Sequence, residues 1–144
     1  MNIRNYKTNN LLLEYFAINK NAYGVVKKYY KNGNLRALYS HCNGVYHGQC
    51  SVYYPNGNLQ DIWYYNGGKR VGSYKIFYPN GNLERIANSI DGKYEGKSYQ
   101  YFPNGKLLSI YNYLNGTLHG EHIEYNEYGR IIKKINYING ELQQ

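Results

Sequence analysis

Tyr54 to Leu59 reads Tyr-Pro-Asn-Gly-Asn-Leu, and the phrase returns at Tyr78 to Leu83 and, as Phe-Pro-Asn-Gly-Lys-Leu, at Phe102 to Leu107. An earlier copy, KNGNL, spans Lys31 to Leu35, and a looser one, EYGRI, spans Glu127 to Ile131. Their glycines, Gly33, Gly57, Gly81, Gly105 and Gly129, fall at steps of 24. Proline presets the second position of a turn, asparagine tolerates an unusual backbone, and glycine supplies the left-handed conformation that a tight hairpin requires. Each phrase is therefore read as a turn between two strands, with those five glycines as its structural residues. Working outward, a second glycine series (Gly24, Gly48, Gly72, Gly96, Gly120) runs at the same step, nine residues before the first. A third set completes the unit: Asn43-Gly44, Gly67-Gly68, Asp91-Gly92, Asn115-Gly116 and Asn139-Gly140. Asn-Gly or Asp-Gly between apolar runs is a strong hairpin signal.

Two turns per 24 residues require two antiparallel strands per unit. The intervening segments, such as QCSVYY, LQDIWYY, SYKIFY and LLSIYNY, are short, alternating or rich in rings, and none holds a helical period. The predicted fold is all-β: tandem 24-residue β-hairpin repeats forming one elongated, twisted antiparallel meander of about ten or eleven strands. Residues 1–10 fall outside the repeats, 11–142 hold half a repeat plus five, and 143–144 form a tail. Like residues should stack from unit to unit into ladders that would make the core. Leu35, Leu59, Leu83, Leu107 and Ile131 form one such ladder. Tyr39, Trp63, Tyr111 and Ile135 form a second, broken by Ala87, and Tyr29, Tyr53, Phe77, Tyr101 and Tyr125 form a third.

The composition suits a thin structure. In 144 residues there are 21 Tyr against 3 Phe and 1 Trp, so the apolar material comes mostly as rings with polar tips, each buried on a flank and wet at its hydroxyl. The length excludes two large domains, and no apolar run is long enough for a membrane-crossing helix. The opening MNIRNYKTNNLLLEYF lacks the apolar core and cleavage site of a signal peptide, which places the protein in the cytoplasm with two free thiols, Cys42 and Cys50. The net charge of +8 permits nucleic acid, anionic lipid or an acidic protein as partner without choosing among them.

The Tyr-Pro-Asn-Gly turns, the Tyr or Trp in the second strand and the closing His-Gly pairs (His47-Gly48, His119-Gly120) resemble MORN repeats. The likeness is closest to the variant with a Y-P-N-G-x-L core, found in YwqK-type antitoxin family proteins and in large-DNA-virus proteins, and it covers residues 11–142. The resemblance implies a binding scaffold, associated with protein assembly or anionic phospholipid in one branch and with toxin neutralisation in the other. It places the protein in the cytoplasm of a bacterium or, for a viral protein, in the host cell or virion. The sequence departs from the pattern at Lys31, at Ala87 and at Asn126-Glu127-Tyr128.

Catalytic chemistry is not legible. The nine acids scatter over different levels and phases, and no serine sits at a nucleophile elbow. His41, Cys42, His47 and Cys50 offer four potential zinc ligands within ten residues. A hairpin centred on Asn43-Gly44, however, sets Cys42 near Val45 and Cys50 near Ala37, on separate rungs. No metal, cofactor or catalytic residue is assigned. The expected function is a non-enzymatic scaffold for protein–protein interaction, with an antitoxin or immunity role as its most concrete form. A peripheral binder of anionic lipid or nucleic acid, through basic and aromatic residues, ranks second. The partner-binding face is placed at Tyr46, Arg70 and Tyr94, which recur at one phase, with Trp63 and Tyr65 beside them, because Tyr, Trp and Arg dominate interface hot spots. The apolar LLLEYF strand is the expected N-terminal edge, covered by the first ten residues or by a second copy of the chain through self-association. Lys133 and Lys134 are expected to protect the other edge.

Overall fold

The computed structural model describes the backbone of residues 3–8 and 11–16, and residues 23–143 in full. Its strands are β1 (Ile3–Thr8), β2 (Leu11–Phe16), β3 (Tyr23–Tyr29), β4 (Leu35–Cys42), β5 (Val45–Tyr53), β6 (Leu59–Asn66), β7 (Lys69–Phe77), β8 (Leu83–Ile90), β9 (Lys93–Tyr94), β10 (Gly96–Tyr101), β11 (Leu107–Leu114), β12 (Thr117–Leu118), β13 (Gly120–Tyr125), β14 (Ile131–Ile138) and β15 (Glu141–Gln143). There is no helix among the described residues. From β3 to β15 the strands form one open antiparallel sheet of 13, each paired with its neighbours in sequence. β9 and β10 are two halves of one pass, as are β12 and β13, so counting each pair once leaves eleven passes.

Turn chemistry sets this path. At Tyr78-Pro79-Asn80-Gly81 the Gly81 N–H donates to the Tyr78 carbonyl at 2.8 Å, and the Tyr78 N–H donates to the Asn82 carbonyl at 2.8 Å. The Asn80 side-chain oxygen accepts from the Asn82 N–H at 3.0 Å. Gly81 sits at φ +89, so this is a type I turn closed by a left-handed residue, the usual three-residue hairpin loop. The other turns have both central residues left-handed, as at Asn43 (φ 51) and Gly44 (φ 80), which is the type I′ geometry.

The second glycine series has a role that the sequence did not disclose. Gly48 is left-handed at φ +90 and lies where the β4–β5 register shifts. It makes a β-bulge, and the same shift recurs near Gly72 and splits β9 from β10 at Gly96. The bulge corrects one expectation: Cys50 lies opposite Tyr39, and Ala37 faces Val52. Cys42 does face Val45, so the two thiols remain on different rungs.

Successive units are tied together along both rims. Tyr30, Tyr54 and Tyr78 each donate a hydroxyl hydrogen bond to a carbonyl of the next unit, that of Tyr53, Phe77 and Tyr101. Asn34, Asn58 and Asn82 reach the next Pro carbonyl at 2.8, 2.8 and 2.7 Å. At the opposite rim the glycine N–H of four second turns donates to the preceding unit: Gly68 to Tyr46, Gly92 to Arg70, Gly116 to Tyr94 and Gly140 to Leu118. At three levels the residue before the bulge glycine caps the next turn: His47 Nδ1 accepts from the Gly67 N–H at 3.5 Å, Glu95 Oε2 from the Asn115 N–H at 2.8 Å, and His119 Nδ1 from the Asn139 N–H at 3.4 Å.

The expected ladders do not form the core. Trp63, Tyr39, Tyr111 and the Leu and Tyr ladders stay half-exposed, and Ile131 is 56% exposed. What is buried is small or polar: Ala37, Cys50, Ala87, Ser51, Ser89, Ser98, Ser109 and His122. A single sheet has no second layer to close a core, so the large rings lie over small neighbours and remain wet on their outer side. Ala87 is thus a floor position and not a defect.

At the N-terminal end, Ile3–Thr8 pairs antiparallel with Leu11–Phe16, so the LLLEYF segment is paired within a separate two-stranded sheet, and β3 ends the 13-stranded one. At the other end β15 pairs only with Asn136 to Ile138. Lys133 and Lys134 stand on the stretch of β14 that β15 leaves open, held by Glu124 and Glu121 at 3.2 and 2.8 Å.

Candidate functional site

Strand alternation and register decide which of the candidate residues meet. Cys50 is opposite both Tyr39 and Trp63, and Tyr65 is opposite Arg70, which sets all five on one face. Tyr46 stacks on Tyr65 with ring centroids 5.1 Å apart and 23° between planes, and leans against Tyr39 at 6.0 Å. Tyr46 is nonetheless 47% exposed, an aromatic surface offered to solvent. Trp63 meets Tyr74 edge-on at 6.3 Å. The Arg70 guanidinium lies 5.8 Å from the centre of the Tyr74 ring.

Asp61, Trp63, Tyr65, Arg70 and Tyr74 line an open cleft of about 250 Å³. Three of the five residues predicted for a binding face, Trp63, Tyr65 and Arg70, share this cleft, and Tyr46 extends it by stacking. Tyr94 lies one level further on, packed against Tyr113 at 5.4 Å, and lengthens the aromatic row without lining the cleft. Sequence reasoning missed Asp61 and Tyr74. Asp61 was one acid among nine with no shared phase, and Tyr74 stands where other units carry Val26, Cys50, Ser98 and His122, so no repeat pattern marks it.

The pair is chemically coupled. Tyr74 donates its hydroxyl to Asp61 Oδ1 at 3.0 Å. Burial pushes the Asp61 carboxyl above the usual carboxylate range, and the Tyr74 hydrogen bond opposes that rise. Burial, the Asp61 charge and the same hydrogen bond push the Tyr74 hydroxyl up to about 12. No lysine or arginine among the described residues lies within ion-pair distance of Asp61, whereas Asp91, Glu121 and Glu124 each have one.

A second feature of the same face is His122, 4% exposed and stacked between Tyr111 at 4.1 Å and Tyr137 at 6.3 Å. Its Nε2 is 3.2 Å from Glu124 Oε1, an electrostatic contact without hydrogen-bond alignment. Burial holds its pKa below the ordinary imidazole value, with Glu124 opposing and Lys133 adding to the effect. Cys50, at 0% exposed, has a thiol raised by burial, while Cys42 is half-buried. Among the described residues no group of three or more His, Cys, Asp or Glu is placed to hold a metal ion, and no helix is long and apolar enough to cross a membrane.

An open meander of hairpin units, tied carbonyl to ring and turn to turn, defines a repeat scaffold. A family model described as "MORN repeat variant" matches residues 22–43, 46–66, 70–91 and 94–115, more than half of the chain, and the protein belongs to that family. MORN repeats commonly bind proteins or membranes, and the family is a repeat scaffold that is not typically enzymatic. Comparison with curated proteins gives no match.

Proposed function

We propose that this chain is a non-enzymatic scaffold that binds another protein through the face carrying Tyr46, Trp63, Tyr65 and Arg70, with Tyr94 at its margin. Toxin neutralisation, as an antitoxin or immunity protein, is the most concrete form of that role. The observation that carries the reading is the exposed Tyr46 ring, stacked on Tyr65 beside an arginine and the single tryptophan. Large rigid rings with polar tips, set next to Arg, are the residue types that concentrate binding energy at interfaces. The sheet supplies the rigidity, since its rims are hydrogen-bonded from unit to unit and little ordering remains to be done on association.

The test is the triple variant Tyr46→Ser, Arg70→Ala, Tyr94→Ser, compared with the parent in affinity capture from the source cell followed by mass spectrometry. A folded triple variant should lose the parent's partner. Capture that persists would remove this face from consideration. Capture that falls steeply with salt and is recovered on anionic vesicles or on DNA would instead favour the electrostatic reading.

A further inference from the structure

We propose that the cleft between Trp63, Tyr65 and Tyr74 receives a cationic side chain, a lysine or arginine of the protein partner, with its charge set against the Asp61 carboxylate. This deepens the protein-binding reading above and rests on it.

Three observations converge on a cation. The first is the wall material: three rings meet around one opening, and aromatic faces attract a positive charge. The second is the acid. Asp61 is half-buried, and among the described residues it accepts one hydrogen bond, from the neutral Tyr74 hydroxyl, and has no cation within ion-pair distance. A carboxylate partly withdrawn from water and unpaired gains most from an incoming positive charge. The third is where these residues stand in the repeat. The positions of Asp61, Trp63 and Tyr74 are held in the other units by Ala37, Arg85, Ser109 and Lys133; by Tyr39, Ala87, Tyr111 and Ile135; and by Val26, Cys50, Ser98 and His122. The sheet forms with any of these, so its architecture does not require an acid between rings at this level. Floor geometry helps as well, because Tyr74 lies opposite the buried Ala87, which leaves its ring room to turn toward Trp63.

Arg70, whatever it contributes to the rest of the partner, works against this one cationic side chain and so provides a test of sign with the isolated probes. Its guanidinium already lies over Tyr74, and its charge raises the cost of a second cation nearby. If the guest is cationic, removing Arg70 tightens binding and removing the Asp61 charge weakens it. An anionic guest reverses both signs.

Trp63 is the only tryptophan, so intrinsic fluorescence reports from the cleft itself. The full chain is titrated with N-acetyl-argininamide and N-acetyl-lysinamide, with N-acetyl-citrullinamide as the uncharged match. The expected result is a saturable change with the cationic probes, about tenfold weaker with citrulline and with Asp61→Asn, and severalfold tighter with Arg70→Ala. Asn keeps the acceptor for Tyr74, and a parent-like circular dichroism spectrum with a single cooperative melt certifies that variant's fold. A flat titration with both cationic probes, equal binding by citrulline, or unweakened binding to Asp61→Asn overturns the inference. Partner capture by the parent and its loss in the triple variant would leave the face standing even then, so the two readings fail separately.

Discussion

The Tyr54 hydroxyl donates a 2.8 Å hydrogen bond to the backbone carbonyl of Phe77, which lies 23 residues further along the chain. Tyr30 and Tyr78 make the same bond to Tyr53 and Tyr101, at 2.6 and 2.8 Å. The fourth residue of the series is Phe102, which has no hydroxyl to continue it.

Removing one such bond should act at one boundary between units, since each unit touches mainly its neighbours. Tyr54→Phe and Tyr78→Phe are each expected to cost about 1 kcal/mol. Phe102→Tyr should gain a few tenths of a kcal/mol to about 1 kcal/mol by supplying the missing donor to the Tyr125 carbonyl. Urea denaturation followed by circular dichroism checks all three, and equal midpoints would show that the ladder bonds merely replace bonds to water.

Because the large rings cover small residues, truncating a ring and enlarging a floor residue should both hurt. Trp63→Ala is expected to cost about 2 kcal/mol, below the full core value, since Trp63 is only half-buried. Cys50→Leu, at a site with 0% exposure, should cost about 1 to 3 kcal/mol through overpacking. Thermal melts of the two variants decide the matter: a neutral Cys50→Leu would mean that the sheet can open around its centre line.

At Gly81 an added Cβ meets nothing within 4 Å, so any penalty there is backbone strain alone. With φ at +89, Gly81→Ala should cost about 1 to 2 kcal/mol and the β-branched Gly81→Val more. Gly81→Asn should fall below both, since the chain already holds Asn at positive φ in Asn43, Asn115 and Asn139. Chemical denaturation of the three variants gives the order, and equal costs for Ala and Asn would refute the strain account.

Two groups withdrawn from water, His122 fully and Asp61 in part, should tilt the pH profile in opposite directions. The folded-state pKa of His122 is held below its ordinary 6.5 by burial, so between those two values the unfolded chain binds more protons and stability rises with pH. Asp61 is raised above its ordinary 3.8, so from that value upward the folded chain keeps the proton longer and stability falls as pH rises through the window. His122→Phe, which keeps a ring between Tyr111 and Tyr137, should remove the first slope, and Asp61→Asn the second. Melting temperatures from pH 4 to pH 8 check both, and a variant profile parallel to the parent's would refute the corresponding assignment.

Repeat length, turn positions and antiparallel order were all legible in the sequence. A turn is a local matter: Pro79 presets a dihedral and Gly81 or Gly44 takes a left-handed one whatever lies beyond, so the residues themselves announce where the chain reverses. The candidate site was legible only in part. Tyr46, Trp63, Tyr65 and Arg70 were visible as interface residue types, but neither Asp61 nor Tyr74 recurs at its position in the other units, so no repeat pattern added them. Past the bulge near Gly72, β6 and β7 pair with Asp61 opposite Ile76, and Tyr74, two residues from Ile76 on the same face, reaches the carboxylate with its hydroxyl. The bulge at Gly48 likewise moved Cys50 from the expected place opposite Ala37 to one opposite Tyr39, and a shift of register changes every neighbour downstream. Sequence by itself determined where this chain turns, because turning is a property of single residues. Tertiary structure alone decided which side chains share a face and which are covered, because those depend on pairing between strands and on the lack of a second layer above the sheet.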